Sequence, residues 1–249
     1  MVDGPTMMAG FRQAPAQRLH QAIIDNDLQV LRWLVDTGKI EDIGNREADA
    51  NGWSSLMLAA RYDRRDIFGY LLELGHDEGT VSTDAEGNTV PMICAKYRHE
   101  DACLAYLERY PQTMSTVNRD GSSAINWAAQ NGLNRVIGWI LDHGGNANQR
   151  DIEGNTPLHH AASWNQYQTV LLLLERDAEH TLKNHKGCTA IDYAYSPVMD
   201  KHIRETVMRL QIKRHKRQAG SFSTSLSRPS GDTSPITPPA SAMSPDRSK

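Results

Sequence analysis

The chain has 249 residues, a formal net charge of −3 and 39% hydrophobic residues, a length that holds one large domain or two ordinary ones. Its mean hydropathy of −0.56 indicates either an economical core or a part that does not fold. The three cysteines (Cys94, Cys103 and Cys188) are too few for a disulfide framework. We find no run of about 18 apolar residues and no apolar stretch typical of a signal peptide. These features predict a soluble protein of a reducing, intracellular compartment.

Charge is divided unevenly along the chain. Residues 212–249 carry seven Lys/Arg and two Asp/Glu, whereas residues 1–211 carry 20 Lys/Arg and 28 Asp/Glu. The body is therefore acidic and the C-terminal end basic. Taken over the whole chain, the near-neutral charge gives no indication of a nucleic-acid partner.

A self-comparison of the sequence finds a repeat with a period of 33 to 37 residues. Its copies are anchored by one mostly apolar position: Leu19, Leu56, Pro91, Ile125, Leu158 and Ile191. From the second copy onwards a glycine stands four residues before the anchor: Gly52, Gly87, Gly121, Gly154 and Gly187. Such a period is typical of stacked helical repeats, which bury a continuous core only as a row.

Each repeat has the composition of two short helices. The glycine supplies backbone freedom at a turn, the following Ser or Thr caps a helix, and small residues such as Ala59, Ala128 and Ala161 allow close packing. A second helix follows with apolar residues at helical spacing, for example Val136 and Ile140. Extra residues in the first three spacings predict longer loops around 39–50, 77–86 and 110–119.

The two ends of the array differ from its middle. The first copy lacks the turn glycine. In the sixth copy, Pro197 is expected to stop the first helix, and residues 198–211 predict an amphipathic closing helix. Its apolar face consists of Met199, Ile203, Val207 and Leu210.

Residues 219–249 differ in composition from the repeats, with twelve Ser/Thr and five Pro. A segment with so few apolar groups cannot offset its ordering entropy and is expected to be disordered. Ser234, Thr237 and Ser244 each precede a proline. They are candidate proline-directed phosphorylation sites, the alternative being an ordinary low-complexity tail.

The segment GNTPLHHAA at 154–162, with LLLLERDA at 171–178, resembles the ankyrin repeat. The resemblance covers residues 16–212. It implies an all-α repeat solenoid, an ankyrin array of about six repeats in which paired helices are joined by β-hairpin loops. A flexible N-terminus (1–15) precedes the array and closing helix (16–212). A basic cluster and disordered Ser/Pro-rich tail (213–249) follow.

The sequence offers no catalytic constellation. Nucleotide-binding glycine motifs, the zinc-protease motif and the nucleophile-elbow motif are absent. His159 and His160, with His180, His185 and Cys188 further on, fit no zinc spacing, and the ankyrin resemblance implies that His159 bonds to the turn backbone. We therefore expect no enzyme activity, no metal, no cofactor and no small-molecule substrate.

In the ankyrin architecture, two kinds of position face the binding groove: the residue after the turn glycine and the two residues after the Ala-Ala pair. Here these positions are rich in aromatic and cationic residues, which carry most interface energy. The candidate partner-binding residues are Trp53, Arg61, Tyr62, Lys96, Tyr97, Gln130, Asn131, Ser163 and Trp164. The alternative is a set of loosely packed surface residues.

The sequence also predicts where the remaining tryptophans and the residues after the turn glycines lie. Trp33 and Trp139 share one second-helix position and are expected in the core, and Trp127 is expected to be half-buried on a first helix. The other residues that follow a turn glycine are also expected to face the groove: Asn88, Ser122, Asn155 and Cys188.

The run at 213–217 contains Lys213, Arg214, Lys216 and Arg217. It predicts a nuclear import signal, a patch for anionic lipid or acidic protein, or simply a solvated helix end, where cations suit the helix dipole. No aromatic residue is interleaved, so a platform for single-stranded nucleic acid is disfavoured.

Several phrases go beyond the generic repeat: RLHQAIIDND (18–27), NGWSSL (51–56), YLLELGHD (70–77) and KYRHEDACLAYLERYP (96–111). They are similar to the ankyrin-repeat accessory subunit of fungal TOR complex two. That resemblance implies a non-catalytic scaffold or adaptor in plasma-membrane and cell-integrity signalling. Its partner would be a TOR kinase complex, its membrane association at most indirect, and its location cytoplasmic or at the plasma-membrane periphery. The alternative is a nuclear ankyrin-repeat regulator that binds or masks a transcription factor.

Overall fold

The computed structural model describes residues 14–40, 51–78 and 80–225. The α-helices of this part form five consecutive pairs and one long final helix, and a 3₁₀ helix (Pro111–Ser115) follows the third pair. The pairs are α1 (Pro15–Ile24) and α2 (Leu28–Asp36), α3 (Ser55–Arg61) and α4 (Arg65–Glu73), α5 (Val90–Lys96) and α6 (Glu100–Arg109), α7 (Ala124–Asn131) and α8 (Asn134–Asp142), and α9 (Pro157–Ser163) and α10 (Tyr167–Glu175). The final helix is α11 (Pro197–Ser225). None of the described helices combines the length and apolarity needed to cross a membrane.

The two helices of each pair meet at a tight turn. One residue in each turn has a left-handed backbone, with φ between 53° and 75°: Asn26, Asp63, Arg98, Gly132 and Asn165. Asn, Asp and Gly tolerate this conformation better than other residues do. The short turn lets α-helices of seven to ten residues fold back on each other within every repeat.

The core follows the pattern predicted from the sequence. Ala59, Ala128 and Ala161 of the first helices are fully buried, which lets neighbouring repeats approach closely. Both helices of a repeat contribute larger buried side chains, such as Leu56 of a first helix and Val136 and Ile140 of a second helix, which are at most 1% exposed. Since each repeat covers the apolar face of the next, the expected solenoid of paired helices is confirmed.

The loops before α5, α7 and α9 and the equivalent loop of the sixth repeat share one hydrogen-bonded turn, which we call the fingertip turn. In it, an Asp or Asn three residues before the glycine accepts bonds at its Oδ1 from two backbone N–H groups, at 2.7–3.1 Å. The four acceptors are Asp84, Asn118, Asp151 and Asn184. The glycines of these turns have φ between 69° and 82°, so the turn needs glycine for its conformation.

Successive fingertip turns are joined by backbone hydrogen bonds. The N–H groups of Arg119, Ile152 and His185 donate to carbonyl oxygens of the preceding turn at 2.8–3.0 Å. Within the described residues, the only β-bridge is the isolated pair Thr83 and Thr89. The expected hairpin loops therefore take the form of stacked turns rather than regular strands.

Asn88 and Asn155 do not face a groove, contrary to expectation. They are 1% and 5% exposed, and their Oδ1 atoms accept bonds from the side-chain amides of Asn118 and Asn184 at 2.8 and 2.7 Å. These amides connect one fingertip turn to the next, so the position after the turn glycine is structural in these two repeats.

The sixth repeat departs from the sequence prediction. Residues 190–193 form a turn instead of a first helix, and Pro197 begins α11 rather than ending a helix, as proline does readily in a first helical turn. Met199 and Ile203 of α11 are fully buried, and both belong to the face that the sequence predicts to be apolar. The helix extends to Ser225, so it includes residues 219–225, which were expected to be disordered.

A buried carboxylate connects the end of repeat two with repeat three. Asp77 is 3% exposed and lies 2.9 Å from His76 Nδ1, while Ser82 Oγ donates to it at 2.6 Å and the Tyr106 hydroxyl of α6 also donates to it. Burial alone would raise the pKa of Asp77, but these hydrogen bonds outweigh it and hold the pKa below its ordinary value of 3.8.

We expect opposite effects from alanine at two glycines. At Gly154, with φ +79°, a Cβ would lie 2.9 Å from the His185 ring, so Gly154→Ala should destabilise the protein by about 1–3 kcal/mol. Gly138 lies inside α8 with no atom within 4 Å of the added Cβ, and Gly138→Ala should stabilise it by about 0.5–1 kcal/mol. Thermal unfolding followed by circular dichroism measures both; equal shifts in the same direction would contradict the role of the fingertip turn.

The Asp77 network predicts a pH-dependent contribution to stability. Because the folded-state pKa is depressed, the contribution is present above the ordinary value and is lost as the pH falls through the folded value. The difference in unfolding free energy between wild type and Asp77→Asn should therefore be constant near neutral pH and shrink below about pH 4. Urea unfolding at several pH values tests this, and a pH-independent difference would count against a charged Asp77.

Candidate partner-binding surface

The ends of three consecutive first helices bring aromatic and cationic side chains together. We call this group the aromatic–cation cluster; it consists of Trp53, Arg61, Tyr62, Lys96, Tyr97 and Trp127. The Arg61 guanidinium carbon lies 4.7 Å from the centre of the Trp53 ring and 5.7 Å from that of Tyr97. Lys96 Nζ lies 5.2 Å from the Trp127 ring of the next repeat. The cluster therefore spans repeats two to four.

The repeat itself explains why these side chains meet. Arg61 and Lys96 are the last residues of α3 and α5, where a cation interacts favourably with the helix dipole. Tyr62 and Tyr97 follow as the C-cap residues. Trp53 stands just before Ser54, which caps α3 through a bond to the Met57 N–H at 3.3 Å. Equivalent positions of stacked repeats lie side by side, so a residue type that recurs at 34–35-residue spacing forms a stripe.

The cluster borders a shallow depression of about 150 Å³ between the fingertip turns and the first helices. Asn51, Trp53, Arg61, Asp84, Ala85, Glu86 and Lys96 line it. Its walls are therefore polar and charged, with one aromatic ring at the side.

Exposure divides the predicted partner-binding residues into two groups. Tyr62 and Trp164 are 38% and 57% exposed, as a contact surface requires. Trp53 is only 8% exposed, because Arg61 and the edge of the Tyr97 ring, at 6.3 Å, cover it. Trp53 supports the surface from beneath rather than forming it, which corrects the expectation that it faces the groove openly.

The more C-terminal candidates have local roles. Asn131 Nδ2 donates to the Ala95 carbonyl of the preceding repeat at 3.1 Å, and Ser163 Oγ donates to the His160 carbonyl at 3.0 Å. Gln130 and Ser163 are half-buried. Within the part of the chain that the structure describes, Trp164 has no ring or cation contact. The structure thus gathers the candidates of repeats two and three and leaves those of repeats four and five apart.

The other tryptophans show where sequence reasoning failed. Trp33 was expected in the core but is 42% exposed, with Lys39 Nζ 3.8 Å from its ring. Trp139 is half-buried and stacks on His143 at 3.9 Å. Trp127 is half-buried as expected, but it also belongs to the aromatic–cation cluster, although it was not among the predicted partner-binding residues. The cation Lys96 in the preceding repeat was the signal in the sequence that could have indicated this contact.

The histidines and cysteines examined as possible ligands have structural environments. His159 Nδ1 accepts from the Thr156 N–H at 3.2 Å, and its Nε2 lies 3.1 Å from the Cys188 carbonyl oxygen, which confirms the expected bond to the turn. Burial lowers the pKa of His159. Cys94 and Cys103 are fully buried, and burial raises both pKa values. Within the described residues, no group of three or more His, Cys, Asp or Glu side chains could hold a metal.

The basic cluster lies inside α11 rather than at its end. Lys213 and Arg214 are exposed, whereas the side chains of Lys216 and Arg217 lie outside the described part of the chain. Ser234, Thr237 and Ser244 lie there as well. Their suggested roles stay predictions.

Two shallow clefts run along the second helices. One, of about 340 Å³, lies beside Phe68 and Gly69 of α4. The other, of about 420 Å³, lies between Gly138 of α8 and Leu171 of α10. Ion pairs lie along both, such as Arg135 with Asp101 at 2.7 Å, so many of their charged groups are already matched.

Comparison with known proteins decides the family. The model described as "Ankyrin repeats (3 copies)" matches residues 16–82 and 92–184. This chain belongs to the ankyrin-repeat family. The match covers the five helix pairs except for the first residue of α1 and the first two residues of α5, and its gap at residues 83–91 contains the turn before α5.

Three relatives place it within that family. The chain is 28% identical over 160 residues to the target of rapamycin complex 2 subunit AVO2 of Saccharomyces cerevisiae, covering 64% of this chain and 37% of that protein. It is 30% identical over 183 residues to the palmitoyltransferase AKR1 of Lachancea kluyveri, covering 70% and 24%. It is 27% identical over 125 residues to human BCL-6 corepressor-like protein 1, covering 50% and 7%.

The chain thus spans well under half the length of these relatives. What the matches share with this chain is the repeat array. The family and the similarity to a complex subunit point to protein–protein interaction as the role of that array.

The two tryptophans predicted to contact a partner should respond differently to truncation. Trp53→Ala removes a ring that is 8% exposed and should destabilise the protein by about 3 kcal/mol. Trp164→Ala removes a ring that is 57% exposed and should change stability by less than about 0.5 kcal/mol. Urea unfolding measures both free energies. A large loss for Trp164→Ala would place that ring in the core instead of on the surface.

Proposed function

We propose that this protein is a non-catalytic interaction subunit, a scaffold or adaptor that holds a partner protein along the first helices of its array. The aromatic–cation cluster carries this proposal. Arg, Tyr and Trp are the residue types most enriched at interface hot spots, and here they adjoin each other over repeats two to four. Trp164 of repeat five lies outside the cluster, but it follows its first helix as Tyr62 and Tyr97 follow theirs and is exposed.

The partner we propose is a target of rapamycin complex 2, in signalling at the plasma membrane. The similarity to the yeast subunit AVO2, over 64% of this chain, supports it. Any approach to the membrane would then be indirect, through the complex. No nucleic acid and no small-molecule substrate enters this function.

Affinity purification tests the surface and the partner together. The tagged chain, purified from the cells that produce it, should recover the kinase of target of rapamycin complex 2. A triple variant with Tyr62→Ala, Lys96→Ala and Trp164→Ala should lose at least about tenfold of that recovery, since hot-spot truncations cost 1–4 kcal/mol each.

A matched control variant combines Ile152→Ala and Tyr195→Ala, whose side chains are 65% and 73% exposed but lie outside the cluster. It should recover the kinase as wild type does. Unchanged recovery by a folded triple variant would show that the partner binds elsewhere, and absence of the kinase from wild-type purifications would exclude the proposed complex.

Localisation separates this function from the alternative of a nuclear regulator. A fluorescent fusion should appear at the cell periphery, and replacing Lys213, Arg214, Lys216 and Arg217 with Gln should leave it there. A nuclear signal that this replacement abolishes would instead favour the import function of the basic cluster.

A further inference from the structure

Two cations of the cluster occupy equivalent positions in adjacent repeats. Arg61 and Lys96 are both the last residue of a first helix. The equivalent residues of repeats four and five, Gln130 and Ser163, are neutral. Since residues 1–211 carry more Asp and Glu than Lys and Arg, this pair is a local basic site on an acidic body.

Neither cation forms a salt bridge with a carboxylate within the described residues, although other surface arginines of the array do. Two carboxylates line the same depression, but both are engaged by the fingertip turn. Asp84 accepts from the Asn88 N–H at 2.7 Å and from the Asn88 side-chain amide at 2.9 Å. Glu86 accepts from the same amide at 3.0 Å.

Within the described residues, Arg61 contacts aromatic rings and forms no salt bridge, so its N–H donors are available to a ligand. A guanidinium stacks on aromatic rings through its faces, whereas its N–H donors point outward in its plane. The rings of Trp53, Tyr62 and Tyr97, at 4.7–5.7 Å, surround this side chain, which limits the rotamer entropy that a ligand would have to remove. Such a guanidinium is prepared for a bidentate bond to a carboxylate.

We propose that the aromatic–cation cluster binds an extended segment of the partner rich in Asp and Glu, with one carboxylate on Arg61 and another on Lys96. The inference rests on the proposed function, because it names the chemistry of the segment that the interaction surface would take. Packed helices lie about 8–10 Å apart, and an extended chain rises about 3.3 Å per residue. Alternate side chains of an extended segment share one face, so carboxylates two residues apart, about 6.6 Å along the segment, both face the cluster. The flexible Lys96 side chain covers the remaining distance.

A random decapeptide library displayed on phage tests the chemistry without presuming a partner. We expect peptides selected on the immobilised full chain to be enriched in Asp and Glu at a spacing of about two residues, which places them on one face of an extended chain. Binding of the best synthetic peptide should weaken as salt is raised to about 0.5 M, because exposed charges are screened.

Two double variants distinguish a specific effect of Arg61 and Lys96 from the effect of overall positive charge. The double variant Arg61→Gln and Lys96→Gln should bind the selected peptide at least about tenfold more weakly, because charge-assisted hydrogen bonds are lost. The matched double variant Arg65→Gln and Arg98→Gln removes two exposed cations of the same repeats outside the depression. It should bind within about twofold of wild type, as rim charges contribute little.

Replacing Glu and Asp of the peptide with Gln and Asn leaves the protein untouched and should cause the same loss, so the test holds even if the double variant unfolds. The proposal is overturned if no peptide is enriched, if the selected peptides are neutral or basic, if the amide peptide binds equally well, or if both double variants behave alike. If one of these outcomes occurs and the Tyr62, Lys96 and Trp164 triple variant still loses the partner, only the proposal of an acidic segment is refuted. Unchanged partner recovery in that variant would refute the proposed function.

Discussion

The fingertip turn is the constraint on which the rest of the structure depends. A carboxylate or amide of Asp84, Asn118, Asp151 or Asn184 accepts two backbone N–H groups and fixes the chain for its reversal at the glycine. Without these acceptors the N–H groups would stand unpaired at the edge of the array, at a cost of about 1–3 kcal/mol each where buried. Because each turn also bonds to the next, this local motif sets the alignment of whole repeats.

The turns determine where the surface side chains lie. Trp53 follows Gly52, which also has a positive φ of 68°, while Arg61 and Tyr62 lie at the C-terminal end of the helix that begins at Ser55. The three residues meet because this helix of seven residues is only about 10 Å long, so the long Arg61 side chain reaches back to the Trp53 ring. Lys96 and Tyr97 occupy the equivalent positions of the next repeat and therefore lie next to them. The interaction surface thus results from the geometry within one repeat and from the stacking of equivalent positions in neighbouring repeats.

Much of the fold could be predicted from the sequence, since each copy of the repeat gives the same indication of where its helices and turns lie. The anchors, the turn glycines, the small alanines and the second-helix apolar residues all follow from spacing and composition. The register was correct for five repeats, because each copy supports the others. The positions of Arg61 and Lys96 followed from the same register.

The failures arose where a residue type is compatible with two environments. Trp33 shares its register with Trp139, but no described repeat packs against the outer side of the first one, and its ring is exposed beside Lys39. Proline can end one helix or begin the next. Pro197 begins α11 because residues 190–193 form a turn and leave no first helix for it to end. Asn88 was assigned to a groove from its position after the turn glycine alone. Its hydrogen bond with Asn118, which holds it inside the protein, was not foreseen.

The central claim is that a partner binds along the first helices and not along the second helices. Photo-crosslinking reports this contact directly, with benzoylphenylalanine placed at Tyr62 in one sample and at exposed Gln168 of α10 in another. Our account predicts that position 62 crosslinks to a subunit of target of rapamycin complex 2 and that position 168 does not. Crosslinks to that complex from position 168 alone would contradict it.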